Sequence, residues 1–222
     1  MSDREFVLDY ERNQRLGFGE AIFCAQKTPD QITAILGDAS ERKASMLLTR
    51  LEPAKFEKLP EGTRSALDYD VRSQTAFLNP PERNAELTAP VAIVTAGTSD
   101  ALPAYEAQRT LEFNQVASAI YFDVGVAGLW RLLDRIDDIR QHQVLIAVAG
   151  MDAALPSVLG GLFAGPIFAV PTSTGYGAAR GGETAVAACL TSCAPGVTVC
   201  NIDNGYGAAC AALRVLQQFN HK

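Results

Sequence analysis

Five short apolar runs recur along the second part of the chain: "VAIVT" (Val91 to Thr95), "ASAIYF" (Ala117 to Phe122), "VLIAVA" (Val144 to Ala149), "PIFAV" (Pro166 to Val170) and "VTVCNI" (Val197 to Ile202). None alternates between apolar and polar positions. Runs of this length without alternation predict strands buried on both faces of a parallel sheet. A helical pattern follows each run: "DALPAYEAQRTLEF", "GLWRLLDRIDDIRQ", "DAALPSVLGGLF", "ARGGETAVAACLTS" and "GAACAALRVLQQF". Five strand–helix units in succession predict right-handed crossovers and a doubly wound α/β fold with a five-stranded parallel sheet.

Before these units the pattern is weaker. "NPPERNAELTAP" (Asn79 to Pro90) is rich in proline and charge, lacks apolar periodicity, and is predicted to be a linker. Ahead of it, "KTPDQITAILGDA" carries a helix start. Thr28 is placed to cap, Pro29 to take the first helical position, and Gln31 to complete a capping box. "EAIFCAQ" and "SQTAFL" are candidate strands. The expectation is a small α+β domain over residues 1–85 and a larger α/β domain over 90–222.

Composition narrows the class. Hydrophobic residues make up 48% of the 222, enough for a sizeable core, and the net charge is -6. With no Lys/Arg stripe, that balance argues against nucleic acid as a partner. "MSDREFVLDYERNQR" is charged, so neither a signal peptide nor a membrane span is expected, and the protein is expected in the cytoplasm. Five cysteines without framework spacing are expected to be reduced thiols. Two histidines, His142 and His221, make a His-rich metal site improbable on composition, and favour a hard ion held by carboxylate and phosphate oxygens.

In an open parallel sheet, ligands bind beyond the carboxyl ends of the strands. All five loops there are small, polar and glycine-bearing, which turn chemistry and helix capping explain for one or two loops but not readily for five. They supply the candidate substrate-binding residues: Gly97, Thr98, Ser99 and Asp100 in "AGTSD"; Asp123 and Gly125 in "DVGVAG"; Gly150 and Met151 in "AGMDAALPS"; Thr172, Ser173, Thr174 and Gly175 in "PTSTGYGAARGG"; and Asn201, Asp203 and Asn204 in "NIDNGYG". "AGTSD" is the best phosphate candidate, with Gly97 permitting a close turn at a helix start. It is not G-x-G-x-x-G, and no Walker lysine is present. Arg180 is the only cation of the long glycine-rich loop.

Taken together, "TAGTSD", "DVGVAGLWRLL", "VAGMDAALPSVLGGL", "VPTSTGYGAARGG" and "NIDNGYGAA" resemble the LarB family of nickel-pincer cofactor biosynthesis, within the wider group around the PurE-type AIR carboxylases. "KTPDQI" and "DYDVRSQTAFL" also resemble LarB and not PurE. Ala154 stands where PurE carries a catalytic histidine before Leu-Pro, and "DVGVAG" replaces Ser-Ala-His-Arg. The resemblance implies an enzyme that carboxylates the pyridinium ring of nicotinic acid adenine dinucleotide at C5 and hydrolyses its phosphoanhydride. Carbon dioxide or bicarbonate would be co-substrate, Mg²⁺ would assist, and the chain would form a homo-oligomer, often an octamer in PurE-like proteins. A nucleotide-sensing module without chemistry and a PurE-type mutase are the alternatives.

An electron-poor pyridinium ring cannot attack carbon dioxide until a nucleophile adds to it, and a cysteine both attacks and leaves well. Cys200 within "VTVCNI" is expected to be core filler. Cys189 and Cys210 lie mid-helix, and Cys24 lies in the small domain. Cys193 ends a helix in "SCAPG", where it can be exposed, and the resemblance places the catalytic cysteine there. A helix-to-strand loop lies on the sheet edge opposite the ligand cleft, so Cys193 would have to serve a neighbouring subunit. Asp152 is a candidate general base or charge partner for the thiol, or a plain helix-start acid. Asp203 and Asn204 are candidates for ribose hydroxyls or a Mg²⁺–phosphate group. Asp100 is a candidate Mg²⁺ ligand, although as a helix cap it needs none. "DYDVR" is expected to be a solvated face.

Overall fold

The structure is a computed structural model that describes residues 5–82 and 89–220. The chain divides into two compact units, Met1–Arg83 and Asn84–Lys222. Part of the expected linker, residues 83–88, lies outside the described residues, as does His221.

The first unit holds α1 (Arg12–Leu16), β1 (Ala21–Phe23), α2 (Pro29–Glu41), β2 (Met46–Thr49), α3 (Pro53–Phe56), α4 (Glu61–Ser65), β3 (Leu67–Asp70) and β4 (Thr75–Leu78). Its sheet runs β1-β2-β4-β3, parallel between β1 and β2 and antiparallel elsewhere. The expected helix start is present. The Thr28 hydroxyl accepts the Gln31 N–H at 3.2 Å, the Gln31 side chain accepts the Thr28 N–H at 3.0 Å, and Pro29 opens α2. Ile32, Ile35, Leu36 and Ala39 follow at helical spacing and pack with Ile22, Cys24, Leu48 and Leu78 of the sheet. β2 and β3 have no counterpart in the sequence reading. "DYDVR" is no plain solvated face: Asp70 Oδ1 accepts both the Arg72 N–H and its Nε–H at 3.2 Å, and Oδ2 accepts the Ser73 hydroxyl at 3.1 Å, which closes the β3–β4 turn.

The second unit is the doubly wound α/β fold. It comprises β5 (Val91–Thr95), α5 (Ala101–Phe113), β6 (Ser118–Tyr121), α6 (Leu129–Leu133), α7 (Ile136–Ile139), β7 (Val144–Ala149), α8 (Ala154–Gly160), β8 (Ile167–Pro171), α9 (Glu183–Leu190), β9 (Val197–Val199) and α10 (Gly205–Asn220). All five strands are parallel, in the order β6-β5-β7-β8-β9. One face is covered by α6 to α9, whose Leu132, Ile136, Ile139, Leu155, Leu159, Ala185 and Cys189 meet Ala92, Val94, Leu145, Ala147 and Ala169. On the other elements, α5 and α10 pack against each other and against β5 to β8. Among the described residues no helix is long and apolar enough to cross a membrane.

Three expectations need correction. Only the inner strands β5, β7 and β8 are buried throughout; β6 is half-buried along its length, and in β9 Thr198 is exposed. Each outer strand has one neighbour, so a continuous apolar run does not guarantee burial on both faces. β9 also stops at Val199, leaving Cys200 beyond the strand and half-buried. The helix expected over "GLWRLLDRIDDIRQ" breaks into α6 and α7, yet Leu132, Ile136 and Ile139 keep their spacing and stay buried.

Thr28→Ala removes the acceptor for a helix-start N–H and is expected to cost about 1 kcal/mol. The check is the urea-unfolding midpoint of the variant against the parent; an unchanged midpoint would show that the capping box contributes nothing.

Candidate ligand site at the strand ends

The site is organised by a buried carboxylate. β5 ends at Thr95, and the next turns lead into α5 through a short 3₁₀ segment, Thr98–Asp100. Asp100 is 3% exposed. Its Oδ2 accepts the Gly97 N–H at 2.9 Å, and its Oδ1 accepts the Thr172 hydroxyl at 2.6 Å. One side chain therefore shapes the β5 loop and ties it to the end of β8. Two further bonds lace the same loops: the Thr174 hydroxyl donates to Ser99 O at 3.2 Å, and the Met151 N–H donates to Thr174 O at 2.9 Å. Gly150 has to be glycine, since a Cβ there would stand 2.5 Å from Thr174 O and 2.6 Å from Thr172 Oγ1.

Above this knot lies a cavity of about 410 Å³, within the range of small-molecule sites. It draws on four loops: Gly97 to Asp100 after β5, Asp123 to Arg131 after β6, Gly150 to Leu155 after β7, and Thr174 after β8. Asp123, Met151 and Ala153 hold left-handed backbone, with φ of 56°, 55° and 44°. Strained single residues of this kind persist only where the surroundings hold them, and they gather at ligand sites. The Asp123 N–H is fixed by Thr95 Oγ1 at 3.1 Å, and the Val124 N–H by Thr95 O at 3.0 Å.

Of the residues singled out in the sequence, Gly97, Thr98, Ser99, Asp100, Asp123, Gly125, Gly150, Met151, Asp152 and Thr174 line this cavity. Asp152 is exposed there. Thr172 lies beneath it, buried and bonded to Asp100, and Gly175 sits against Met151 and Ala179. Ser173 and Asp203 form a pair of their own, the Ser173 N–H donating to Asp203 Oδ1 at 2.8 Å. Asn204 Oδ1 accepts the Gly207 N–H at 2.7 Å inside the first turn of α10, and Asn201 Oδ1 accepts the Ile202 N–H. These three, with Ser173, are not among the lining residues. Nor is Arg180, which is exposed on the glycine-rich loop.

Cys193 also lies elsewhere. It is exposed in the loop between α9 and β9. The neighbouring Ser192 hydroxyl bonds the Ser157 hydroxyl at 2.7 Å, and Ala194 sits against Gly160. Ser157 and Gly160 belong to α8, whose first residues Ala154 and Leu155 line the cavity. The cysteine loop thus packs roughly 5–9 Å further down that helix axis. The remaining thiols are less available. Burial pushes Cys24 up to about 12 and Cys189 up to about 11, and it raises Cys200 as well. Arg131, which donates from Nη1 to Asp123 Oδ2 at 2.6 Å, is the charged lining residue that the sequence reading missed. Its signal was present in "DVGVAGLWR", a lone arginine one helical turn into the segment that follows a ligand-edge loop.

Two outcomes follow. Thiol titration of the folded protein at pH 8 should show one fast group, lost in Cys193→Ala. Cys24, with about a thousandfold less thiolate than an ordinary cysteine, should react only on unfolding. A fast phase that survives Cys193→Ala would show another thiol to be the accessible one. Asp100→Ala strands the Gly97 N–H and the Thr172 hydroxyl without their acceptor, so it should lower stability by about 2–4 kcal/mol, read as a shift in the unfolding midpoint.

Comparison with known proteins agrees with this architecture. Residues 4–80 match the model of the LarB/PurE-like N-terminal domain, and residues 90–222 match that of the AIR carboxylase domain. The chain is similar to the uncharacterized protein MJ0165 of Methanocaldococcus jannaschii, with 36% identity over 214 residues, 93% of this chain and 82% of that protein. A LarB-type N-terminal domain followed by an AIR carboxylase domain, across nearly the whole chain, makes this protein a member of the LarB family, a carboxylase family related to PurE.

Proposed function

We propose that the protein carboxylates the pyridinium ring of nicotinic acid adenine dinucleotide at C5 and hydrolyses the phosphoanhydride. The products are pyridinium-3,5-biscarboxylic acid mononucleotide and AMP, on the way to a nickel-pincer cofactor. The observation that carries this reading is an exposed cysteine loop, Cys193, on a LarB-type chain whose strand-end loops enclose a cavity of small-molecule size.

The chemistry balances with groups this chain has. The Cys193 thiolate adds its electron pair to the ring and forms a C–S bond, and the ring nitrogen takes up the displaced pair. The resulting enamine is nucleophilic at C5 and attacks the carbon of carbon dioxide. A base then removes the C5 proton, for which Asp152, exposed in the cavity, is the nearest candidate in kind. The C–S electrons leave with sulfur, and aromaticity returns. The Gly97 and Asp100 N–H groups are bonded within the turn, which leaves those of Thr98 and Ser99 to suit a phosphate. Both Asp100 oxygens are already hydrogen-bonded in the interior, so the phosphate oxygens and water are the better donors for Mg²⁺. The ion would supply charge neutralisation at the anhydride.

Cys193 and the cavity belong to different parts of one chain, so the active site in this proposal spans two subunits. Exposed apolar residues support an assembly. Leu190 is 68% exposed beside the cysteine loop, and Trp130 is 66% exposed on α6, next to Arg131 of the cavity. A contact that carries the cysteine loop of one copy to the cavity of another would cover such surfaces, in an octamer or a smaller ring.

Incubation with the dinucleotide, bicarbonate and Mg²⁺, followed by mass analysis, should show AMP and a mononucleotide heavier than nicotinic acid mononucleotide by one carboxylate. Cys193→Ala should abolish the reaction and keep the oligomer, and Cys200→Val should keep most of it. Binding without AMP release would favour the sensing alternative. Mixing Cys193→Ala with a Ser99→Ala/Asp100→Ala double variant and allowing subunit exchange should restore part of the activity that neither has alone. No recovery in verified mixed oligomers would place both groups in one chain.

A further inference from the structure

We infer that Arg131 is the residue that selects the acid form of the pyridine ring over its amide, by pairing with the ring carboxylate while Asp123 faces the ring's positive charge. This inference rests on the function proposed above and names the group that sets its substrate class.

Among the described residues that line the cavity, Arg131 is the one cation, against the carboxylates of Asp100, Asp123 and Asp152. Asp100 is spent on its two internal hydrogen bonds. The charged face a ligand meets is therefore the Asp123–Arg131 pair together with Asp152. The pair is built, not incidental. Asp123 is fixed in left-handed backbone by its N–H bond to Thr95. Arg131 lies back across Gly128, where a Cβ would stand 2.8 Å from its Nε and 3.2 Å from Nη2. Gly128 thus leaves open the space that the guanidinium occupies beside Asp123. A guanidinium has five N–H donors. One goes to Asp123, and no other described partner takes the remaining four, so a second carboxylate can be accepted without breaking the first bond.

The pairing also decides between ligand groups. A phosphate drawn to Arg131 meets the Asp123 carboxylate on the same guanidinium and is repelled by it. A pyridinium carrying a carboxylate presents a positive ring and a negative substituent together. It satisfies both members of the pair, with Asp152 adding attraction for the ring. An amide in place of that carboxylate keeps the positive ring but offers the guanidinium only a neutral acceptor, so the charge pairing is lost.

The test is equilibrium titration of the full chain, in buffer depleted of carbon dioxide, with nicotinic acid adenine dinucleotide and with oxidised nicotinamide adenine dinucleotide. The parent should bind the acid form more tightly by roughly 30-fold. Arg131→Gln should weaken the acid form by about that factor and leave the amide form within about twofold, so the preference disappears; Arg131→Lys should recover part of it. Unchanged binding of the amide form doubles as the control that the site is still folded. A variant that loses both ligands by the same factor would overturn the inference, because Arg131 would then hold a group common to both. So would a parent that binds the two forms equally, or an acid preference that survives Arg131→Gln. A parent that binds neither dinucleotide would remove the proposed function itself, and this inference with it.

Discussion

The carboxylate of Asp100 is the constraint on which the second unit's working end depends. It is buried, it accepts from the backbone of its own loop, and it accepts from a hydroxyl 72 residues further along. Both bonds are accepted in the interior, where a donor left without its acceptor is costly. That side chain ties the loop after β5 to the end of β8 across the end of β7, and so forms the floor of the cavity. Gly150 belongs to the same device, because the chain of β7 passes between these loops with room only for a hydrogen. A residue that resembles a metal ligand or a substrate contact in sequence is here the fastening that makes contacts by its neighbours possible.

Much of this was legible in the chain. Uninterrupted apolar runs at β5, β7 and β8 announced inner strands, and the parallel doubly wound order followed from their alternation with helices. The capping box at Thr28 and Gln31 was readable because it is a local device, complete within four residues. The half-burial of β6 and β9 was not readable. Whether a strand has one neighbour or two is decided by sheet order, and the same apolar run serves either position. β2 and β3 escaped notice for a related reason: "MLLT" is short, and "LDYD" carries charge that is used in a turn.

The site was legible in part. Ten of the residues drawn from the strand-end loops do line the cavity, because topology alone puts those loops on one edge. Asn204, Asn201 and Asp203 lay on the same edge but turned to neighbouring N–H groups, a choice that side-chain geometry makes and spacing does not. Arg131 was overlooked because its function is conferred by Gly128 and Asp123, three and eight residues away. Cys193 is the opposite case. The role proposed for it comes from the resemblance in sequence, and it does not line the cavity of its own chain, so the proposal looks for its partner on another copy.

The all-parallel order of the larger sheet has a consequence for how the protein comes into being. No neighbouring strands in it can form a hairpin, so every pairing waits for a crossover to be completed. β7 pairs between β5 and β8, and Thr172 and Thr174, which close the cavity floor, come late in the chain. A nascent chain therefore carries the loop of Asp100 for some seventy residues before the hydroxyl that will hold it has been synthesised. During that interval β7 has an unpaired edge, and the ligand-binding edge lacks the Thr172 and Thr174 hydroxyls that fasten its loops. Newly made protein is competent to bind only once β8 has docked, which makes ligand binding a late and stringent report on whether this unit has folded.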